Sequence, residues 1–246
     1  MNAVAEDRSV LTRSAAPPNS VVKFGDEPEN IADVRIARDG RERPLVMIIH
    51  GGFWRPQFDR KHTGPMCEAL ALAGWSVAAI EYRRKPGQSN VTLDDVRLAI
   101  DRVPSLVQEH SGRTLLVGHS AGGHLALWSA VRCAQPTLAG ALALGPVSDL
   151  HYAFEKNIGG GAVLAFIGDD LNLRNALDPC MLSSPVIKVT IAHGISDEIA
   201  PIIMSEHYHS RHTNSRLVRL DCGHFAVIDP LSSIWNRILE ELRRLA

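Results

Sequence analysis

Short apolar runs rich in β-branched residues alternate along this chain with longer amphipathic segments, and this alternation is its most constraining feature. Strands are predicted at Val21–Phe24, Ile31–Ile36, Leu45–His50, Ser76–Tyr82, Thr114–Gly118, Gly140–Leu144, Val186–Ala192 and Arg216–Leu220. Helices are predicted at Lys61–Ala73, Leu93–Glu109, Ala121–Cys133, Pro201–His212 and Leu231–Leu245. The middle strands are apolar on both faces, as in a parallel sheet covered by helices on each side. The pattern therefore predicts an α/β fold with a mostly parallel, doubly wound, eight-stranded sheet.

The length of the chain predicts a single large domain. With 246 residues, it falls in the range of single α/β domains, and we assign this domain to residues 21–246. Residues 1–20 are polar and irregular and lack the apolar stretch of a secretory signal. We therefore expect them to form a loosely ordered N-terminal arm.

Charge and hydropathy exclude several classes of partner. The formal net charge is −1, with both signs interspersed, which argues against binding to nucleic acid or to an anionic membrane surface. The longest apolar runs, such as Leu45–Ile49, are too short to cross a bilayer. The expected partner is a small molecule in a pocket, and the C-terminal helix bearing Trp235 or an exposed sheet edge offers a surface for a homodimer.

The cysteines indicate neither a metal site nor a disulfide scaffold. All four are widely separated and form no Cys-x-x-Cys pair, which argues against zinc and against a stapled secreted domain. They are Cys67, Cys133, Cys180 and Cys222. The simplest interpretation is a cytoplasmic protein that needs no metal.

One segment interrupts the strand–helix rhythm. Between the strands ending at Leu144 and starting at Val186 lie about forty residues without a clear strand, longer than a usual connection. The segment contains three consecutive glycines at 159–161 and a predicted helix at Ala162–Ile167. Residues 151–185 are either a small lid over the site or a structural crossover.

The sequence Gly118-His119-Ser120-Ala121-Gly122 follows a predicted strand and begins a predicted helix. A G-x-S-x-G element in this context is typical of a nucleophile elbow, in which a sharp turn exposes the serine hydroxyl. Small residues two positions on either side allow strand and helix to approach closely. The N–H of Ala121, at the helix N-terminus, would favour a developing oxyanion. The alternative is a glycine-rich turn with an incidental serine.

A second glycine-containing turn, His50-Gly51-Gly52-Phe53-Trp54, follows the predicted strand at Leu45–His50. Its glycines allow the backbone to approach a carbonyl oxygen and direct N–H groups at it, so an oxyanion hole is predicted. The alternative is a tight turn whose Phe53 and Trp54 pack into the core.

A serine nucleophile needs a base and an orienting carboxylate, which follow it in this chain order in the fold. Asp197 and His224 each lie just after a predicted strand, at the sheet edge where Ser120 emerges. Asp149 follows an earlier strand and is a competing acid, whereas Glu198 would need a different loop geometry.

The remaining histidines and Cys222 are interpreted as structural or solvated. Four histidines flank glycine turns and are assigned structural roles: His50, His119, His124 and His193. Three more lie too irregularly for one helical face, which argues against a metal site: His207, His209 and His212. Cys222 has no evident feature that would lower its pKa, so a catalytic thiol is not expected.

With these residues identified, the chain resembles the kynurenine formamidase (arylformamidase) and small carboxylesterase branch of the α/β-hydrolases. The segment from Phe24-Gly25 to Ile31-Ala32-Asp33-Val34 looks like the opening strands of that branch. The turn at 50–54 matches its H-G-G-x-W motif, residues 118–125 match its elbow, and residues 223–225 look like its histidine loop. The resemblance implies nucleophile Ser120, acid Asp197, base His224, and oxyanion donors Gly51, Gly52 and Ala121.

The resemblance implies hydrolysis of a small carboxylic ester or an activated amide, such as an aryl formamide, through an acyl-enzyme. No cofactor is implied, and Phe53, Trp54 and Phe225, which adjoin the motifs, are expected to contact substrate. Two alternatives stay open: a non-catalytic binding protein of the same fold, or a peptidase or thioesterase.

Overall fold

The computed structural model describes residues 6–133 and 135–246, which form one eight-stranded sheet in the order β1-β2-β4-β3-β5-β6-β7-β8. The strands are β1 (Ser20–Lys23), β2 (Ile31–Arg35), β3 (Leu45–Ile49), β4 (Val77–Ile80), β5 (Thr114–His119), β6 (Leu138–Leu144), β7 (Lys188–Gly194) and β8 (Arg216–Leu220). β1 and β2 run antiparallel to their neighbours, and all later pairs are parallel. The predicted mostly parallel, eight-stranded sheet is confirmed.

Helices cover both faces of the sheet. They are α1 (Gly64–Leu72), α2 (Ser89–Leu106), α3 (Ala121–Arg132), α4 (Leu150–Glu155), α5 (Ala162–Ile167), α6 (Leu171–Leu177), α7 (Ile203–Arg211) and α8 (Trp235–Leu245). Successive residues of β3 point to opposite faces, so Met47 joins the core under α2 and α3, and Ile48 joins the core under α1 and α8. The fully buried strands therefore contribute side chains to two hydrophobic cores, one on each face of the sheet.

Two short helices, α4 and α6, were not predicted from the sequence. α4 begins at Asp149, whose carboxylate accepts a hydrogen bond from the N–H of Tyr152. α6 begins at Asp170, which caps the N–H of Leu173 in the same way. An aspartate N-cap was the available signal for both.

The predicted loose arm is corrected for residues 6–20, while residues 1–5 lie outside the described part of the chain. Val10 is 1% exposed and belongs to the core under α1 and α8. Arg13 forms a salt bridge with Asp229, and Ser20 begins β1. The arm is ordered by burial of an apolar side chain and by long-range pairing, neither of which local sequence reveals.

The apolar stripe of α8 is already used within the subunit. Its buried residues, among them Trp235 and Leu242, face β6 and β7. Among the described residues, no helix combines the length and apolar character needed to cross a bilayer.

Candidate active site

The predicted elbow lies between β5 and α3. Ser120 has φ 56° and ψ −119°, a conformation that few non-glycine residues adopt. A Cβ on Gly118 would lie 2.1 Å from the carbonyl oxygen of Gly122, and one on Gly122 would lie 2.0 Å from that of Ile49. Both positions must therefore be glycine for β3, β5 and α3 to meet around the serine.

Asp197 and His224 meet at the carboxyl ends of β7 and β8. Oδ2 of Asp197 lies 2.6 Å from Nδ1 of His224, and its Oδ1 accepts hydrogen bonds from the N–H groups of Ile199 and Ala200. Burial alone would raise the pKa of Asp197, but hydrogen bonds from His193 and His224 hold it well below its usual range. The carboxylate stays ionised and can only accept, so the proton in this contact is carried by Nδ1 of His224.

Ser120 and His224 line the same cavity. Among the hydrogen bonds of the described residues, none joins the serine hydroxyl to the imidazole. Catalytic hydrogen bonds are often long in ligand-free sites and shorten when substrate binds. The carbonyl oxygen of His224 accepts a hydrogen bond from Nε2 of His119 at 3.1 Å, and burial followed by the nearby His224 holds the pKa of His119 well below 6.5.

The glycine turn after β3 lies against the elbow. A Cβ on Gly51 would be 2.9 Å from the carbonyl oxygen of His119 and 3.0 Å from Cβ of Ser120. In the described part of the chain, no backbone hydrogen bond outside the regular elements uses the N–H of Gly51 or Gly52. Gly52 lines the cavity, whereas Gly51 and Ala121 are buried beside it. The glycine turn and the serine are therefore in direct contact.

A buried polar network holds the turn from behind. Nε2 of His50 lies 3.1 Å from the Glu81 carboxylate, and the hydroxyl of Tyr82 donates to the carbonyl oxygen of His50 at 2.7 Å. The rings of His50 and Tyr82 stack at 4.4 Å. Burial would raise the pKa of Glu81, but His50 and Arg84 lower it well below its usual value. His50 therefore has the structural role predicted for it.

The cavity has a volume of about 520 Å³. Its walls come from the N-terminal segment, the turn after β3, the loop before α1 and the histidine loop: Arg8, Leu11, Thr12, Arg13, Gly52, Phe53, Gln57, Phe58, Asp59, Lys61, His62, His119, Ser120, Ile199, His224 and Phe225. Phe53 and Phe225, which the sequence predicted as substrate contacts, are both among these lining residues.

Trp54 is a correction to the predicted set of substrate contacts. It is 4% exposed, is not among the cavity residues, and stacks on Phe166 at 4.6 Å with planes 9° apart. Phe53 and Trp54 both have positive φ, so the chain reverses here and directs one ring to the cavity and the other to the core.

The segment 151–185 contributes no residue to the cavity wall as described. It contacts the back of the glycine turn instead: Arg55 hydrogen-bonds the carbonyl oxygens of Gly159 and Gly160, and Phe53 packs against Gly159. The crossover interpretation fits these contacts better than a lid over the serine. Residues of the N-terminal segment line the cavity instead.

Asp149, the competing acid, points elsewhere. Its Oδ2 lies 2.7 Å from Nδ1 of His207, and its Oδ1 caps α4. It also lies within 4.8 Å of ligand atoms of Asp178 and Cys180. Asp178 accepts hydrogen bonds from the N–H groups of Cys180 and His151, which is the pattern of a structural cap.

Sequence reasoning missed three contributions to this site. Nε2 of His193 lies 3.2 Å from Oδ2 of Asp197, although its role was predicted only as structural. His62 lines the cavity, and burial together with His50 lowers its pKa to about 4. Residues 8–13 also line it. A histidine four residues before the acid was the one available local signal.

An eight-stranded α/β sheet with a serine on a strained strand–helix turn, and with an Asp–His pair beyond β7 and β8, defines an α/β-hydrolase. Residues 33–158, just over half of the chain, match the BD-FAE family model, and the chain belongs to the BD-FAE family.

The relatives agree with this class. A kynurenine formamidase from Salmo salar is 35% identical over 117 residues, which are 44% of this chain and 38% of that protein. One from Danio rerio is 26% identical over 230 residues, 85% of this chain and 75% of that protein. A tributyrin phosphonate-inhibited esterase B from Lactobacillus rhamnosis has the same fold, with a TM-score of 0.78, 19% identity, and coverage of 94% of this chain and 87% of that one. The predicted esterase and formamidase branch is confirmed.

Proposed function

We propose that this protein hydrolyses small carboxylic esters or activated amides through an acyl-enzyme on Ser120. The observation that carries the proposal is the buried 2.6 Å contact between Asp197 and His224, beside a cavity that both His224 and Ser120 line. This contact supports a proton on Nδ1 of His224 and the assignment of Nε2 as the base.

In the proposed mechanism, Ser120 Oγ attacks the carbonyl carbon while Nε2 of His224 takes its proton. Backbone N–H groups of Gly51, Gly52 and Ala121 stabilise the oxyanion. The imidazolium, stabilised by Asp197, then gives its proton to the leaving alcohol or amine, and the acyl-enzyme forms. Water, deprotonated by His224, attacks the acyl carbon, and Ser120 leaves with the proton to regenerate the enzyme.

The test compares Ser120→Ala with the control Ser148→Ala. Ser148 is a buried serine whose hydroxyl has no hydrogen-bond partner among the described residues. We expect Ser120→Ala to lose more than about 10³-fold in kcat on 4-nitrophenyl acetate, because the nucleophile is removed. Ser148→Ala should keep wild-type turnover. A fluorophosphonate should label wild type once, at Ser120. Normal turnover by Ser120→Ala would overturn the proposal, and an unlabelled, inactive wild type would favour a binding protein.

Esters and aryl formamides use the same chemistry, so the substrate class needs its own comparison. The similarity to kynurenine formamidases supports testing N-formylkynurenine beside short acyl esters. Turnover of esters without any formamide hydrolysis would narrow the proposal to a carboxylesterase.

Location is a separate part of the proposal. All four cysteines are free thiols, Cys67 and Cys180 being buried, which supports a reducing compartment such as the cytoplasm. Fractionation of cells that express the protein tests this.

A further inference from the structure

The N-terminal segment Glu6–Arg13 contacts the loop that carries His224. A carboxylate oxygen of Glu6 accepts a hydrogen bond from the N–H of Phe225, the residue after His224, at 2.8 Å. The two partners are 219 positions apart in the chain. A hydrogen bond from a backbone N–H to an ionised carboxylate is stronger than one between two neutral groups.

The other end of the segment holds the far end of the same loop. Both carboxylate oxygens of Asp229 accept hydrogen bonds from the Arg13 guanidinium. Nη2 of Arg13 donates to Oδ2 of Asp229 at 3.0 Å and also to Oγ of Ser9 at 3.0 Å. Hydrogen bonding to Arg13 is the main reason that the pKa of Asp229 is lowered. Residues 225–229 are therefore fixed at both ends by one short segment.

Between these two contacts the segment is anchored to the domain. Val10 is 1% exposed in the same core as Val227 and Ile228 of the loop. The Arg8 guanidinium lies 5.8 Å from the centre of the Phe225 ring. The segment is thus a packed part of the domain and not a tail lying on its surface.

The histidine loop needs support because it follows β8, the last strand of the sheet. On its inner side it meets β7 closely: a Cβ on Gly194 would lie 2.3 Å from the carbonyl oxygen of Cys222. On its outer side the described residues form no further strand. Glu6 occupies that side, with a carboxylate oxygen 2.1 Å from a Cβ built on Gly223. The loop is held between the end of β7 and the Glu6 carboxylate.

We propose that Glu6 and Arg13 are positioning residues for His224: they clamp the histidine loop against Asp197 while the segment between them, with Leu11 and Thr12, forms a wall of the substrate cavity. This inference rests on the proposed function, and it assigns to the N-terminal segment a role that its irregular sequence does not suggest.

The experiment uses the full chain with Glu6→Ala, Glu6→Gln, Arg13→Ala, and the exchange Arg13→Asp with Asp229→Arg. The matched control is Arg219→Ala, which removes another Arg–carboxylate pair, with Glu206, from β8 itself. We measure kcat and KM for 4-nitrophenyl acetate, the rate of Ser120 labelling by a fluorophosphonate, and the far-downfield proton resonance of Nδ1–H on His224.

Glu6→Ala and Arg13→Ala should each lower kcat and the labelling rate by about tenfold, the lower end of the range for partners that orient metal-binding histidines. Both variants should also broaden the downfield resonance. Glu6→Gln keeps an amide oxygen acceptor and should recover most of the rate, as should the charge exchange. Arg219→Ala should stay within about twofold of wild type.

Rates within twofold of the control, with a sharp resonance in both alanine variants, would overturn the clamp. The resonance reports on His224 whether or not any ester is turned over. An inactive wild type with an intact resonance that broadens on Glu6→Ala would therefore contradict the proposed function and leave the clamp standing.

Discussion

Asp197 shares one carboxylate oxygen between two histidines, and the less expected of these is His193. Nε2 of His193 lies 3.2 Å from Oδ2 of Asp197 and 2.7 Å from the carbonyl oxygen of Ala200. Both of these neighbours are acceptors, so Nε2 carries the proton, and Nδ1, 2.6 Å from the hydroxyl oxygen of Ser205, can accept from it. The completely buried His193 thus contacts the same carboxylate oxygen as His224 and helps to hold Asp197 in place.

Replacing Asp197 by Asn tests its assignment as the acid. The amide cannot stabilise the imidazolium and favours the wrong tautomer of His224, so we expect kcat to fall by about 10⁴-fold with little change in KM. The control is Asp149→Asn, at the competing acid, which contacts His207 and should leave kcat unchanged. A larger loss in the Asp149 variant would reverse the assignment.

Gly51→Ala tests the predicted oxyanion turn. The added Cβ would meet the carbonyl oxygen of His119 at 2.9 Å, so the turn must shift and its N–H groups move with it. Loss of one donor should lower kcat by about 10²–10³-fold. Gly64→Ala is the control, because its Cβ would meet only Cβ of Ala15 at 3.2 Å. Equal ester kinetics in the two variants would exclude Gly51 from the site.

Trp54 and Phe53 are neighbours in sequence, but replacing Trp54 should affect stability, whereas replacing Phe53 should affect substrate binding. Trp54→Ala removes a buried ring from its stack on Phe166, and we expect the free energy of unfolding to fall by about 3–5 kcal/mol. Phe53→Ala removes a cavity wall and should mainly raise KM. Urea titration and ester kinetics on both variants check this. A raised KM in Trp54→Ala with unchanged stability would restore Trp54 as a substrate contact.

His124 should make the folded protein sensitive to mild acid. Burial lowers its pKa from 6.5 to about 4, so between these pH values the unfolded chain binds a proton that the folded state does not. Lowering the pH through this window therefore favours unfolding, and the shift corresponds to about 3 kcal/mol. We expect His124→Gln to show a shallower loss of unfolding free energy between pH 7 and pH 4. Parallel curves for variant and wild type would contradict this.

Local sequence was sufficient for the elbow and for the order of the site residues. The glycines at 118 and 122 are required by backbone approaches of 2.1 and 2.0 Å, and a strand–helix turn with this spacing can be recognised without a partner segment. The positions of Asp197 and His224 followed from the rule that parallel strands end at one edge of the sheet.

The surroundings of the site depended on the tertiary structure. Periodicity could not tell which of Phe53 and Trp54 would face the cavity, because that depends on two consecutive residues with positive φ. It left residues 151–185 as either a lid or a crossover, and it did not predict that part of the cavity wall comes from residues 8–13.

The sequence by itself determined the sheet, the strained serine and the chain order of Ser120, Asp197 and His224, since these depend on residue spacing and on steric limits within a few residues. Only the tertiary structure decided what holds the histidine loop and what encloses the cavity. Those properties depend on pairs such as Glu6 with Phe225 and Arg13 with Asp229, which are 219 and 216 positions apart. Contacts at such separations arise from packing of the whole domain, and no local pattern specifies them.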